Sequence, residues 1–224
     1  MVAERLSVIV PALNEARLIE GALGRLQALR ERGHEVIVVD GGSADGTPAL
    51  AAPLADRVLS APRGRGRQMN AGAAVAAGDA LVFLHADTGL PEFADRAVFR
   101  ALEKRDWGRF DVIIDSRRAA LKVVAASMNL RSRLTGIATG DQAIFVRRAA
   151  FPGFPEISLM EDVAFSRAML GRGLRPACLG ERATTSARRW EENGVLRTVL
   201  LMWRLRLAYA CGADPDALAR RYRA

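Results

Sequence analysis

Three short runs limit what this chain can fold into: Leu6-Ser7-Val8-Ile9-Val10, Glu35-Val36-Ile37-Val38-Val39-Asp40 and Ala80-Leu81-Val82-Phe83-Leu84. Each is almost continuously apolar, the pattern of a strand covered on both faces rather than one alternating between core and water. Between the first two, Leu18, Ile19, Leu23, Leu26 and Leu29 recur at helical spacing from Asn14-Glu15 until Gly33 stops them. Strand, helix and strand in this order make a β-α-β opening, so a parallel sheet with right-handed crossovers is expected. In such sheets ligands collect beyond the carboxyl ends of the strands. The third run delivers His85-Ala86-Asp87 to that end before Gly89-Leu90-Pro91 breaks it. Both side chains can turn toward one ion or one diphosphate, Asp87 as a hard oxygen ligand and His85 as a softer one. A strand that simply closes in a polar turn is the alternative.

The second strand ends at Asp40, where a carboxylate can accept hydrogen bonds from a base or a ribose. Gly41-Gly42-Ser43-Ala44-Asp45-Gly46-Thr47-Pro48 follows. This loop is neither GxGxxG nor the Gly-Lys-Ser/Thr of a P-loop, so it supports neither a dehydrogenase nor a P-loop NTPase. Asp45 either belongs to the site or caps the next helix. After a short strand near Arg57–Ser60, Arg63-Gly64-Arg65-Gly66-Arg67 reads as a mobile arginine loop entering an alanine-rich helix that stops at Gly78. Arginines on glycine hinges at a helix start suit a diphosphate, though a solvated loop would look the same.

Downstream, the patterns predict a helix from Pro91 to Lys104, a strand over Phe110–Asp115 and an amphipathic helix from Ala119 to Leu134. Thr139-Gly140-Asp141-Gln142 is a glycine turn into another strand. Met160-Glu161-Asp162 opens a helix from Val163 to Leu170, where acidic residues also complement the helix dipole. From Asn193 to Ala210, Leu196, Val199, Leu200, Trp203, Leu207 and Ala210 recur at three- and four-residue steps. That tail packs on the domain, pairs with a second copy, or lies on an anionic membrane surface, with packing or pairing favoured. Asp214-Pro215 starts a last short helix.

The net charge of +8, carried by arginine with only Lys104 and Lys122 as lysines, brings nucleic acid into consideration. The arginines are spread along the chain, however, with no lysine-rich tail, zinc-ligand spacing or aromatic RNA-binding signature, so no nucleic acid is expected. Cys178 and Cys211 match no metal or redox motif, which favours a reduced, cytoplasmic chain, peripheral membrane contact being the variant. Glu4 and Arg5 interrupt any signal-peptide core, and the run Val199–Trp203 is too short to span a bilayer.

In order, Val8-Ile9-Val10-Pro11-Ala12-Leu13-Asn14-Glu15, then Val38-Val39-Asp40-Gly41-Gly42-Ser43-Ala44-Asp45-Gly46-Thr47, then Met69-Asn70-Ala71-Gly72 and His85-Ala86-Asp87 resemble the signature of family 2 glycosyltransferases. Within that family the chain is most similar to the small radical-SAM/selenodomain-associated transferases. The resemblance implies an α/β GT-A fold, a Rossmann-like nucleotide-diphospho-sugar transferase with a mixed, mostly parallel sheet over residues 1–190 and a C-terminal helical cap over 191–224. The nucleotide-binding half would run to about residue 90 and the acceptor half over 91–190.

It also implies inverting transfer of a sugar from a nucleoside-diphosphate donor, uridine being the expected nucleoside, to a hydroxyl of an unidentified acceptor. Pro11, Asn14, Glu15 and Asp40 would line the nucleoside pocket, with Arg67, His85, Ala86 and Arg189 on the rest of the donor. Asp87 matches the second aspartate of the family's DxD motif for a divalent cation, Mn2+ or Mg2+; His85 stands at the first. His85 is then a metal ligand, a ribose partner or a packing residue. Asp162 matches the general base, and Glu161 binds acceptor or braces the loop. Asp141, Gln142 and Trp190 fall on the acceptor side, Asp141 and Gln142 having a role as turn formers as their alternative and Trp190 a core anchor. Thr184 to Trp190 resembles the QxxRW element of processive members, with Ser186 at the glutamine, and supports no processive synthesis. A sugar nucleotidyltransferase would show an arginine- and lysine-bearing glycine loop where Pro11-Ala12-Leu13-Asn14-Glu15 stands; a non-catalytic nucleotide-sugar or nucleic-acid-binding protein is the other rival.

Overall fold

A computed structural model describes residues 4–223. In chain order they form β1 (Leu6–Ala12), α1 (Ile19–Gly24), α2 (Gln27–Glu31), β2 (Glu35–Asp40), α3 (Thr47–Ala51), β3 (Arg57–Ser60), α4 (Arg65–Val75), β4 (Ala80–Phe83), β5 (Thr88–Gly89), α5 (Ala94–Leu102), β6 (Trp107–Asp115), α6 (Ala119–Thr135), β7 (Ile144–Arg147), α7 (Glu161–Gly171), β8 (Ala177–Ser186), α8 (Arg188–Asn193), α9 (Val195–Ala210) and α10 (Pro215–Arg223). The strands make one eight-stranded sheet in the order β3-β2-β1-β4-β7-β6-β8-β5.

β1 lies between β2 and β4 and pairs with both in parallel. Its side chains alternate between two covered faces, as the period of a strand requires. Leu6, Val8 and Val10 join Ile19, Leu23, Leu26 and Leu29 on one side. Ile9 joins Ile37, Val39, Met69 of α4 and Phe165 of α7 on the other. With both faces apolar, hydrophobicity alone does not choose the register. A buried polar cluster does: Ser7 Oγ donates to Glu35 Oε2 at 2.7 Å, and the same two groups accept the N–H of Gly78 (2.9 Å) and Ala77 (2.9 Å) just before β4. Ser7 and Glu35 are almost wholly buried, so slipping either strand would strand a carboxylate in the core.

Beyond β4 the sheet becomes mixed: β7 is antiparallel to β4 and to β6, β8 is parallel to β6, and β5 closes the edge antiparallel to β8. Mostly parallel pairing in the first half and reversed strands in the second agree with the expected α/β architecture.

Several expectations shift in detail. β1 does not stop at Pro11 but reaches Ala12, because its pairing with β4 has ended at Ile9↔Phe83 and the N–H that proline lacks is not needed there. The long first helix is two short pieces, α1 and α2, after a turn in which Asn14 takes a left-handed φ of 55°. α4 starts at Arg65, so two of the three loop arginines are helical, and it ends at Val75 rather than Gly78. β8 was not legible as a strand: Gly180-Glu181-Arg182 interrupts any apolar run.

The tail helix departs furthest. α9 packs through Leu205, with Leu201, Ala208 and Tyr209 against Val163 of α7 and Leu218 of α10. The stripe expected to pack on the domain, pair with a second copy or meet a membrane surface has Leu196, Leu200, Trp203 and Leu207 facing outward, Trp203 and Leu207 being 69% and 68% exposed, so it is not what packs α9 on the domain. Periodicity located a face correctly but could not say which way it turns. No helix among the described residues is long and apolar enough to cross a membrane.

Two glycines separate helix propensity from packing. A Cβ on Gly72 of α4 would lie 2.5 Å from Ile9 Cγ2 and 3.0 Å from Val39 Cγ2, whereas one on Gly21 of α1 meets nothing within 4 Å. Gly21→Ala is expected to stabilise the protein by about 0.5–1 kcal/mol. Gly72→Ala is expected to destabilise it by about 1–3 kcal/mol in spite of the same helical gain. Urea unfolding of the two variants checks the opposite signs.

Candidate active site

The loops that follow β1 and β2 are laced together at the carboxyl edge of the sheet. Asn14 N–H donates to Ser43 Oγ (2.8 Å) and Asn14 Oδ1 accepts from Ala44 N–H (2.9 Å). Glu15 N–H donates to Thr47 Oγ1 at 2.9 Å, and Ala16 N–H to Asp45 Oδ2 at 3.0 Å. Asp45 also takes the N–H and hydroxyl of Thr47, so its role is to latch the two loops and start α3. Gln68 of α4 closes the floor, donating from Nε2 to the carbonyls of Ala12 and Val39, both at 2.8 Å.

Asp40 sits inside this frame, 5% exposed. Its Oδ2 accepts the N–H groups of Gly42 and Ser43 at 2.9 Å, which fixes the glycine turn. Its Oδ1 is buried and has no hydrogen-bond partner among the described residues. An unsatisfied buried acceptor is unfavourable by about 1–3 kcal/mol, and more when charged, so this oxygen is where a ligand's N–H or O–H would be welcome. Pro11, half-buried, pairs with Val39, one residue before Asp40, in the β1–β2 ladder.

One strand over, the chain leaves β4 through a turn closed by Thr88 N–H to His85 O (3.0 Å) and tied to the end of β8 by Ser186 N–H to Asp87 O (3.1 Å). Ala86 is buried beneath it. Among the described residues the Asp87 carboxylate is engaged only by the Thr88 hydroxyl, at 3.3 Å. His85 is braced: its Nδ1 lies 3.4 Å from Asp141 Oδ1 and its ring rests on Gly140, where a Cβ would come within 2.3 Å of the imidazole. The histidine at the first DxD position thus packs on Gly140 and has a carboxylate neighbour.

The third component comes from α7. Met160 precedes it with φ of 72°, a left-handed conformation that is unfavourable for methionine and turns the next two residues into the site. Asp162 accepts Gly140 N–H at Oδ2 (2.9 Å) and Val163 N–H at Oδ1 (2.7 Å), so its carboxylate is fixed at the start of a helix, where the dipole favours negative charge. Each oxygen keeps a lone pair free. Glu161 is buried beside it, with Arg65 Nη1 4.0 Å from Oε1.

These charges share one field. Burial, and then the neighbouring Asp162, push the Glu161 carboxyl above its ordinary value. Burial likewise raises Glu15, with Asp87 adding and Arg188 and Arg65 opposing. At Asp141 desolvation is outweighed by the hydrogen bond from His85 and the charges of His85, Arg65 and Arg189, which hold the carboxyl low. Arg65 ends above its ordinary value because Glu161, Tyr222, Asp141 and Asp162 together exceed the desolvation that opposes its charge.

Not every expected residue joins the group. Arg67 is turned away and pairs with Glu156 at 3.1 Å; Arg65 takes the inward place instead. Two residues apart on a helix point about 200° apart, so only one of the pair can face the site once α4 is known to include both. Gln142 is fully buried: its Oε1 accepts Thr139 N–H (3.1 Å) and its Nε2 donates to Asn129 (3.3 Å), bracing the turn that carries Gly140 and Asp141. Trp190 packs α8 onto Ile114, Leu121 and Ala125, the core-anchor alternative. Arg189 does reach the site's edge, where its guanidinium lies 3.5 Å from the Tyr222 ring centroid and donates to the Tyr222 carbonyl at 3.2 Å. Tyr222 of α10 and Arg188 carried no motif that would have singled them out.

No cluster of three His, Cys, Asp or Glu side chains fit to hold a metal occurs among the described residues. A hard cation that takes most of its oxygens from a bound diphosphate needs only one or two carboxylates, and the lightly engaged Asp87 with Glu15 nearby meets that requirement.

Glycosyl transferase family 2 is the family whose sequence profile matches, over residues 7–150. Among solved structures, a 1–349 fragment of S. aureus TarS superposes with a TM-score of 0.66 at 21% identity, covering 82% of this chain and 60% of that one. The same fragment in complex with UDP-GlcNAc gives 0.65 at 20%, covering 81% and 58%. Glucosyl-3-phosphoglycerate synthase from Mycobacterium tuberculosis, in complex with Mn2+, uridine diphosphate and phosphoglyceric acid, gives 0.63 at 19%, covering 95% and 80%. The chain thus spans about 60% of the length of the TarS fragment. At these identities the likeness establishes the GT-A fold. No curated protein sequence matches the chain.

The low Asp141 carboxyl has a consequence for stability. A depressed folded value means stabilisation that is present above the ordinary carboxylate range and lost as pH falls through that folded value. Asp141→Asn is therefore expected to be less stable than the parent at neutral pH, with the gap closing below about pH 4. Urea unfolding across that window checks it; a gap independent of pH would exclude the ionised pair.

Proposed function

The chain belongs to glycosyl transferase family 2, and on that premise we propose that it is an inverting glycosyltransferase moving a sugar from a UDP-sugar to a hydroxyl of its acceptor. By its motifs it stands nearest the radical-SAM/selenodomain-associated members. The observation that carries the donor assignment is the buried, partnerless Oδ1 of Asp40 at the end of β2. It asks for a donor, and uracil offers its ring N3–H where cytosine has a bare nitrogen. The complexes of TarS with UDP-GlcNAc and of the mycobacterial synthase with UDP support the same base.

With the nucleoside between the β1 and β2 loops, the diphosphate would run toward His85, Asp87 and Arg65, and the sugar toward Asp162. A divalent cation, when bound, would be held by Asp87 and would neutralise charge on the departing diphosphate. Arg65 and Arg189 supply fixed positive charge along the same path. Asp162 is the general base: it takes the proton of the acceptor hydroxyl as that oxygen attacks the anomeric carbon from the face opposite the diphosphate. The C–O bond to the acceptor forms as the bond to the diphosphate breaks, so a single displacement inverts configuration and needs no covalent intermediate. Glu161, whose carboxyl is raised by burial, stays beside the base and pairs with Arg65.

Asp162→Asn keeps an oxygen to accept from Gly140 N–H but removes the base. Its turnover of UDP-sugar, followed by UDP release, is expected to fall about 100- to 10,000-fold with UDP affinity unchanged. Full turnover in that variant would remove Asp162 from the chemistry.

A further inference from the structure

A cavity of about 160 Å3 lies among α6, α7 and α9. Since about 10–15 Å3 of such space admits one water, this one has room for a polyatomic group. Arg131 of α6, Arg167 of α7 and Arg206 of α9 line it, with Thr135 and Tyr209, and no carboxylate does. None of the three arginines is in an ion pair among the described residues. Arg167 is stacked on the Tyr209 ring at 5.4 Å, which orients it without neutralising it. Nε and Nη2 of Arg131 are buried and have no hydrogen-bond partner among the described residues.

A desolvated guanidinium edge with two empty donors is unfavourable unless something accepts from it. Burial lowers the Arg131 value, with the charge of Asp162 opposing and that of Arg109 adding. The fork of an arginine fits two oxygens of a phosphate or carboxylate. The cavity is also placed for use: Val163, which lines it, directly follows Asp162 in the chain.

Resting on the transferase reading above, we propose that this cavity receives the anionic group of the acceptor, a phosphate or carboxylate, and so presents the acceptor's hydroxyl to Asp162. Arg131 is the main contact, with Arg167 and Arg206 completing the cage. The same two outer helices expose Leu130 and Leu134 on α6 and Trp203 and Leu207 on α9, so the anion has two possible sources, a lipid headgroup or a soluble phosphate.

The test is calorimetric titration of the full chain with glycerol 3-phosphate, and co-sedimentation with vesicles of one part phosphatidic acid to four parts phosphatidylcholine against phosphatidylcholine alone. Both are repeated on Arg131→Gln and on Arg206→Gln, with UDP titrated into every protein. The expected result is binding of a phosphate probe that weakens about tenfold or more in each variant, with UDP affinity unchanged. Soluble probe alone identifies a free phosphate; vesicles alone identify a headgroup. Phosphate binding that is equal in parent and variants, or is displaced by UDP, overturns the inference, as does no phosphate binding where UDP binds. Failure of UDP to bind the parent overturns instead the transferase reading, and the acceptor assignment with it.

Discussion

The hydrogen bond between Ser7 Oγ and Glu35 Oε2 holds the first two strands in the register on which the site depends. A parallel strand with apolar residues on both faces is stable in more than one alignment, because a slip exchanges one buried face for another. A buried carboxylate with two specific donors has only one alignment that satisfies it. From that register Ala12 comes level with Asp40, and the β4 exit that carries His85 and Asp87 stands next to them. Gln68 then ties Ala12 and Val39 from below. The half of the site that would hold a nucleotide is thus a consequence of alignment rather than of any single loop.

The other half is built from reversed strands and the start of α7, and charge organises it. Gly140 is the pivot. Its small size lets the His85 ring lie against it, while its N–H fixes Asp162. His85 in turn holds Asp141, and Arg65 faces Glu161. Where the family motif has its first aspartate, the chain has His85 beside Asp141, so a carboxylate lies close to that position although it comes from a different element.

The strands were legible where they are continuously apolar: β2 spans the residues expected, and β1 and β4 differ only at their ends. β8 was not, because its pairing to β6 is made by backbone along a polar stretch that pattern cannot recognise. Helical periodicity found the apolar stripe of α9 but not its direction, which depends on what α7 and α10 leave to be covered. In the site, ordered motifs marked Asp40, Asp87 and Asp162, which the fold brings to one edge of the sheet. They could not tell Arg65 from Arg67, since that depends on where α4 begins, nor show that Gln142 faces inward. The basic cavity left no trace in the sequence, because Arg131, Arg167 and Arg206 come from three separate helices.

The proposed uridine donor rests on the empty acceptor of Asp40. Asp40→Asn tests it most directly: the amide keeps an oxygen for Gly42 and Ser43 but turns the partnerless oxygen into a donor. Calorimetric titration with UDP and CDP in the presence of Mn2+ is expected to show UDP preferred by the parent and weakened about tenfold or more in the variant, with the melting temperature little changed. Equal UDP affinity in parent and variant, or no nucleotide binding in either, would contradict the account.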